Sequence, residues 1–276
     1  MKKLYPFLKN IFFLFCAKPQ AKYVAQTITS FTSKYKLKQY NSALFLFAVS
    51  AFCSQIALAQ VTSVTITTTG SGTWTAPCNV GTVTVECWGG GGGGGNSSNT
   101  TTNGGTGGGG GAYAKGTHTL TAGSSYYYNV GTGGAGAPAN SVATATAGIS
   151  SWFNAAGVNA SPGSNVIGTL GAGGAIGVNN STVTPTNGGA AASCFGNITT
   201  TSGANGVAGN TGGGGAGGAG GNGGAGGAGS NFGNGSNGTS PGGGGGGGND
   251  AAANFGGNGA AGQIVITWTN SLPTIT

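Results

Sequence analysis

The stretch that most limits what this chain can become is residues 212–229, GGGGAGGAGGNGGAGGAG. From Ala216 onward every third residue is something other than glycine: Ala216, Ala219, Asn222, Ala225 and Ala228. A period of three is neither that of an amphipathic helix nor that of a half-buried strand. It belongs to the polyproline-II type of extended helix, with three residues per turn, about 3.1 Å rise per residue and no internal hydrogen bonds. Drawn out as one rod, the stretch would span roughly 55 Å. Its N–H and C=O groups must go to water or to neighbouring rods of the same kind.

Two states satisfy that requirement. One is a flexible glycine linker. The other is a stack of polyglycine-II rods, bonded sideways and packed closely because no Cβ holds the backbones apart. Ordering a residue costs about 1–2 kcal/mol, and glycine costs most. A net hydrogen bond returns about 1 kcal/mol. One isolated rod is therefore disordered, and only several rods held by a β scaffold can be ordered. The remaining sequence has to supply both.

It contains further glycine runs at 89–95, 107–111, 131–136, 168–177, 188–189 and 242–248, each next to a strand pattern or a turn. Residues 61–68 alternate valine or isoleucine with threonine, a strand signal. In residues 82–88, Val83, Val85 and Cys87 fall on one face and Thr82, Thr84, Glu86 and Trp88 on the other. The chain returns from glycine into Ala112, Tyr113, Ala114 and Lys115. An antiparallel pairing of index sum 201 sets Trp88 opposite Tyr113 and Glu86 opposite Lys115, joining an aromatic pair with an ion pair on one face. Residues 126–130 and 150–153 read as strands, and 262–269 as a strong closing strand. Trp74, Trp88 and Trp268 at strand positions are expected in the core. Phe195, Phe232 and Phe255, set among glycine and asparagine, are expected to wedge between rods. His118 is expected on a strand surface.

The front of the chain is different. Residues 1–59 contain no glycine and hold eight of the nine lysines. Lys34, Lys36 and Lys38 precede the apolar run 43–53, and Ala57-Leu58-Ala59 precedes Gln60. A basic segment, a short apolar segment and an A-x-A site make a secretory signal peptide, with cleavage expected after Ala59. The expected layout is a leader at 1–59, a short strand or linker at 60–70, a glycine-rich domain at 71–269 and a tail at 270–276. No membrane span is expected after cleavage, and the protein is expected outside the cell or on its surface.

Beyond residue 60 the only charges are Lys115, Glu86 and Asp250. So sparse a basic charge argues against nucleic acid as a partner. One histidine, one glutamate and one aspartate offer no motif for a triad or a carboxylate pair. No enzyme activity, cofactor or metal is expected. Cys78, Cys87 and Cys194 are not spaced for zinc, and no disulfide is expected among them. Binding chemistry is expected instead at polar loop tips over 96–103 and 231–239. The candidates there are Asn96, Asn99, Asn103, Asn231, Asn234 and Asn237, whose amides offer adaptable hydrogen bonding to a surface glycan or protein receptor. Self-association is also open.

Trp74-Thr-Ala-Pro77, Val83-Thr-Val-Glu-Cys-Trp88-Gly-Gly, Gly110-Gly-Ala-Tyr-Ala-Lys115, Val130-Gly-Thr-Gly-Gly134 and Gly262-Gln-Ile-Val-Ile-Thr-Trp268 together resemble the bacterial and phage glycine-rich domain family. The resemblance covers about residues 71–269. It implies an all-β fold, a small antiparallel scaffold carrying packed polyglycine-II rods, like the tip adhesins of phage tail fibres and secreted glycine-rich proteins of Bacteroidetes-like bacteria. It carries over no catalytic residue. Three functions follow: an adhesive or structural surface module, a disordered extracellular matrix filler, or an ice-binding face built from the period-three alanines.

Overall fold

The computed structural model describes residues 60–78, 80–96, 103–139, 144–155, 168–177, 194, 196–249 and 254–270. Ala57, Ala59, Asn99, Phe195 and the tail beyond 270 lie outside the described residues. Residues Ala59–Thr276 form one compact unit. Its described part is all-β, without helix.

Nine strands build two antiparallel sheets: β1 (Gln60–Ile66), β2 (Gly70–Thr75), β3 (Thr82–Trp88), β4 (Tyr113–Thr119), β5 (Ser125–Val130), β6 (Ser151–Asn154), β7 (Gly168–Gly171), β8 (Thr199–Thr201) and β9 (Gln263–Asn270). One sheet runs β1-β9-β3-β4-β8 and the other β2-β5-β6-β7. The alternation in β3 buries Val83, Val85 and Cys87, and that in β9 buries Ile264, Ile266 and Trp268. These meet Val130, Tyr126 and Phe153 of the facing sheet in one apolar core. Phe153 is its centre, fully buried, with the Trp74, Tyr126 and His118 rings at 6.2, 5.9 and 6.3 Å.

β3 and β4 pair in the register of sum 201, Glu86 opposite Lys115 and Trp88 opposite Tyr113. The Trp88 and Tyr113 rings lie 4.9 Å apart. Lys115 Nζ stands 3.5 Å from Glu86 Oε1, which also accepts the Tyr113 hydroxyl at 2.5 Å. The same register continues beyond the strands: the N–H groups of Gly89, Gly92 and Gly95 donate to the carbonyls of Ala112, Gly109 and Thr106. Each of those pairs again sums to 201, but now only every third residue bonds, because the backbone has changed from strand to polyglycine-II rod. Rods 89–96, 131–138 and 172–177 leave β3, β5 and β7, while rods 103–112, 144–150 and 254–262 lead into β4, β6 and β9.

Rods 202–210, 213–221, 223–230, 233–239 and 242–249 complete the bundle. Rod 89–96 is interior. It donates to rods 103–112, 144–150 and 254–262, all antiparallel to it, and accepts from rods 131–138, 172–177 and 242–249, all parallel. Rod 242–249 is likewise surrounded, bonded to rods 89–96, 103–112, 213–221, 223–230, 233–239 and 254–262. A rod enclosed on every side can carry no side chain on any of its three faces. These two rods are the two uninterrupted seven-glycine runs, 89–95 and 242–248. From Ala216 onward rod 213–221 keeps two glycines in three, with Ala219 turned outward. Rod 202–210, at the margin, keeps one: Gly203, Gly206 and Gly209 are buried, and Ala204, Val207 and Asn210 are exposed. The local glycine frequency thus records how deep each rod lies.

Several expectations are corrected. The period-three stretch is not one long rod. It folds back at Asn222, whose φ of 48° is left-handed, into antiparallel rods 213–221 and 223–230. Asparagine tolerates that conformation, and the Trp88 Nε1–H holds the turn by donating to the Asn222 carbonyl at 2.9 Å. The run 168–177 is part strand, β7, and part rod. Phe232 and Phe255 are not wedges: they are 97% and 49% exposed, because a lattice spaced for glycine has no room for a ring. His118 is not a surface residue. It is half-buried on the inner side of β4, 2.7 Å from the Oγ1 of fully buried Thr169.

That placement has a titration consequence. Burial holds the His118 imidazole below its ordinary pKa of 6.5. As pH falls through the unfolded-state value, the unfolded chain takes up a proton that the folded chain refuses, so stability declines with falling pH. His118→Gln is expected to flatten this decline below about pH 6.5. Paired urea titrations of both proteins at pH 7.5 and about pH 5.5 check it, and equal losses in the two would refute it.

Candidate functional site

The described rods run between two ends. One is the sandwich, with turns 221–223 and 239–242 beside it. The other is a far rim, identified by its own bonds: Asn103 bridges Thr211, the Asn249 N–H donates to the Gly233 carbonyl at 3.1 Å, and Asn96 Nδ2 donates to the Pro138 carbonyl. Asn96, Asn103, residues 210–213 and 230–233, Asn249 and Asn254, distant in the chain, come together there.

Of the asparagines singled out from the sequence, Asn96 is fully buried. It does not present itself to solvent. It stands at the end of interior rod 89–96, and Asn249, 3% exposed, stands in the same place on rod 242–249. The Asn249 Nδ2 donates to the Asn231 carbonyl at 2.9 Å, and its Oδ1 accepts from Asn254. Both seven-glycine runs therefore finish in a buried asparagine that bonds sideways where the regular lattice stops. Sequence reasoning missed Asn249, and the shared ending of the two runs was the signal.

Asn103 is half-buried in its bridge. Asn231, Asn234 and Asn237 are exposed but do not form one tip. Asn231 sits at the rim, whereas Asn234 and Asn237 lie along rod 233–239. The Asn234 Oδ1 accepts the Phe255 N–H and the Asn237 Oδ1 accepts the Asn258 N–H, each at 2.8 Å. Asn258 Oδ1 in turn accepts the Gly136 N–H at 2.8 Å. These amides tie one marginal rod to the next. Phe232, beside Asn231, is the most exposed large apolar side chain of the rim, and Phe255 follows on the adjoining rod.

Little else in the described residues offers reactive chemistry. They contain no cluster of three or more His, Cys, Asp or Glu suited to a metal. Cys78, Cys87 and Cys194 are thiols outside any disulfide, Cys78 exposed and the other two buried, with Cys194 Sγ accepting the Ala172 N–H at 3.4 Å. Burial pushes the Cys87 thiol well above its ordinary pKa and raises that of Cys194. They are therefore protonated and poor nucleophiles. No helix among the described residues is long and apolar enough to cross a membrane.

No curated protein matches the chain. A family model, the glycine-rich domain, matches residues 66–269, from the last residue of β1 to the penultimate residue of β9. The matched span includes the opening tryptophan strand, every rod and the closing strand. The chain belongs to the glycine-rich domain family.

Proposed function

We propose that the protein is an exported, non-enzymatic surface module whose rod bundle carries a binding rim to an outside partner. The observation that carries this reading is the far rim: exposed Asn231 and Phe232 stand at the end of a bundle whose interior is rigid backbone. An exposed aromatic among asparagine, serine and glycine is the composition of adaptable recognition surfaces. Nearly charge-free surroundings favour a neutral partner such as a cell-surface glycan or an uncharged protein loop. The resemblance to phage tail-fibre tip adhesins supports the same reading, and the leader ending at Ala59 supports export, with Gln60 as first residue of the mature chain.

Lateral hydrogen bonding of the rods weighs against a disordered filler. An ice-binding alanine face is disfavoured because Asn222 leaves the row to make a turn and Ala216 is half-buried.

The test is binding of fluorescently labelled residues 59–276 to a glycan array and to bacterial and host cells, beside the double variant Asn231→Ala/Phe232→Ala. Loss of at least about tenfold in affinity is expected if the pair forms the contact, since interface aromatics cost more than about 1 kcal/mol each when truncated. Unchanged binding by the variant, or no binding to any surface, would sink the reading. Ala219→Ser, on an exposed rod face away from the rim, is the control.

A further inference from the structure

β1 is unlike the other strands. The family match begins only at Ile66, so nearly all of β1 lies ahead of the shared domain. Among the described strands it pairs only with β9, through seven consecutive residues from Gln60↔Asn270 to Ile66↔Ile264. Val64 and Ile66 pack against the sandwich core from its inner side. Among the described residues its other edge is the unpaired edge of the five-stranded sheet.

Free edges are templates for another strand, and proteins blunt them with charges, proline, bulges or short length. The opposite edge of this sheet follows that rule: β8 has three residues. β1 does not. QVTSVTI is seven residues long and contains no charge and no proline, and its register with β9 is unbroken by a bulge. Val61, on the outer face, is 66% exposed.

We infer that β1 pairs edge to edge with β1 of a second copy of this chain, antiparallel about a two-fold axis through Ser63, making one continuous ten-stranded sheet. The strand suits itself. Residues directly opposite in an antiparallel pair share a face, so both cores stay on one side only if paired numbers sum to an even value. The sum 126 achieves this and uses all seven residues. It sets Thr62 opposite Val64 on the inner face and pairs the backbone of Gln60 with that of Ile66 at the two ends. On the outer face it sets Val61 opposite Thr65 and Ser63 opposite its own copy. A charged partner strand would meet no countercharge on β1, whereas a second neutral copy loses nothing. A two-fold contact of this kind closes on itself and yields a dimer rather than a fibre. So narrow an edge buries less than a standard interface, so the dimer is weak and concentration-dependent.

The geometry of the axis matters for what such a dimer can do. A two-fold perpendicular to the sheet reverses strand direction. The rods continue the strands, so the two bundles point in opposite directions and the two rims stand at opposite ends. Such a pair can bridge two surfaces but cannot engage one surface twice. This holds whatever the rim binds, and it is tested without any ligand.

Sedimentation equilibrium of residues 59–276, a compact unit by themselves, is expected to rise with concentration toward about twice the monomer mass. Ser63→Lys and Ser63→Asp each set like charges face to face at the axis. Because the side chain is exposed, folding should be unaffected. Each variant alone is expected to dimerise at least about tenfold more weakly, and an equimolar mixture to recover the heavier species as a heterodimer. A monomeric wild type at every concentration, variants that dimerise as the wild type does, or a mixture that fails to recover would overturn the proposal.

Discussion

Gly92→Ala is expected to unfold the rod bundle. A Cβ at residue 92 would lie 1.9 Å from the Ala175 carbonyl oxygen, far inside contact distance, and the atom it meets is backbone. Nothing there can rotate away, because Ala175 belongs to a rod whose own bonds fix its place: its carbonyl accepts from Gly109. The substitution has an opposing benefit, since alanine reduces the entropy of the unfolded chain by about 0.4–1 kcal/mol. A clash with packed backbone outweighs that. The loss should exceed about 4 kcal/mol, a size single substitutions reach only through a named defect such as this. Gly245→Ala, in the other interior rod, meets the Gly257 carbonyl oxygen at 2.0 Å and should behave alike. Ala225→Ser, on an outward face, should stay within about 0.5 kcal/mol of the wild type. Urea unfolding followed by tryptophan fluorescence compares the three. A Gly92→Ala protein as stable as the wild type would mean that the rods are not packed.

Phe153→Ala tests the other half of the architecture. The ring is fully buried among Trp74, Tyr126 and His118, and removal of such a side chain costs about 3–5 kcal/mol. The informative readout is where the loss is felt. β6, which carries Phe153, is entered from rod 144–150, whose Thr146 and Ile149 carbonyls accept from Gly93 and Gly90 of the interior rod. If the sandwich holds the rods in place, amide exchange of residues 89–95 should accelerate together with that of β3 and β9. Rods that stay protected while the sandwich amides exchange would show that the bundle stands without its clamp.

The legible part of this fold was the part written in side chains. The β3–β4 register could be read because Glu86 and Lys115 are nearly the only charges in the body and because Trp88 and Tyr113 fall in step with them. β9 could be read because Ile264, Ile266 and Trp268 alternate without interruption. The rods were legible as a class, since glycine at period three has few other uses, but their arrangement was not. Asn222 keeps the phase of the alanine row, so the turn left no break in the pattern. Its only mark was a residue that accepts a left-handed backbone. The phenylalanines were misplaced because an aromatic ring usually indicates burial, and a lattice spaced for glycine has no room for one. Of the rim, the loops that contribute were legible as polar breaks, but their meeting was not. It depends on how the bundle is stacked, and glycine carries no lateral address. Asn96 looked like a loop residue because its neighbours are polar on one side only, whereas its burial comes from rods far away in the chain.

The two enclosed glycine runs also constrain descent. Where a position admits a single residue type, mutation there can only be purged, so the interior cannot drift, adapt or acquire new chemistry. Novelty is left to the turns between rods, which can lengthen or change residue while the glycine lattice beneath them is kept. A lineage built on such a body can alter its turns quickly while its framework stays frozen.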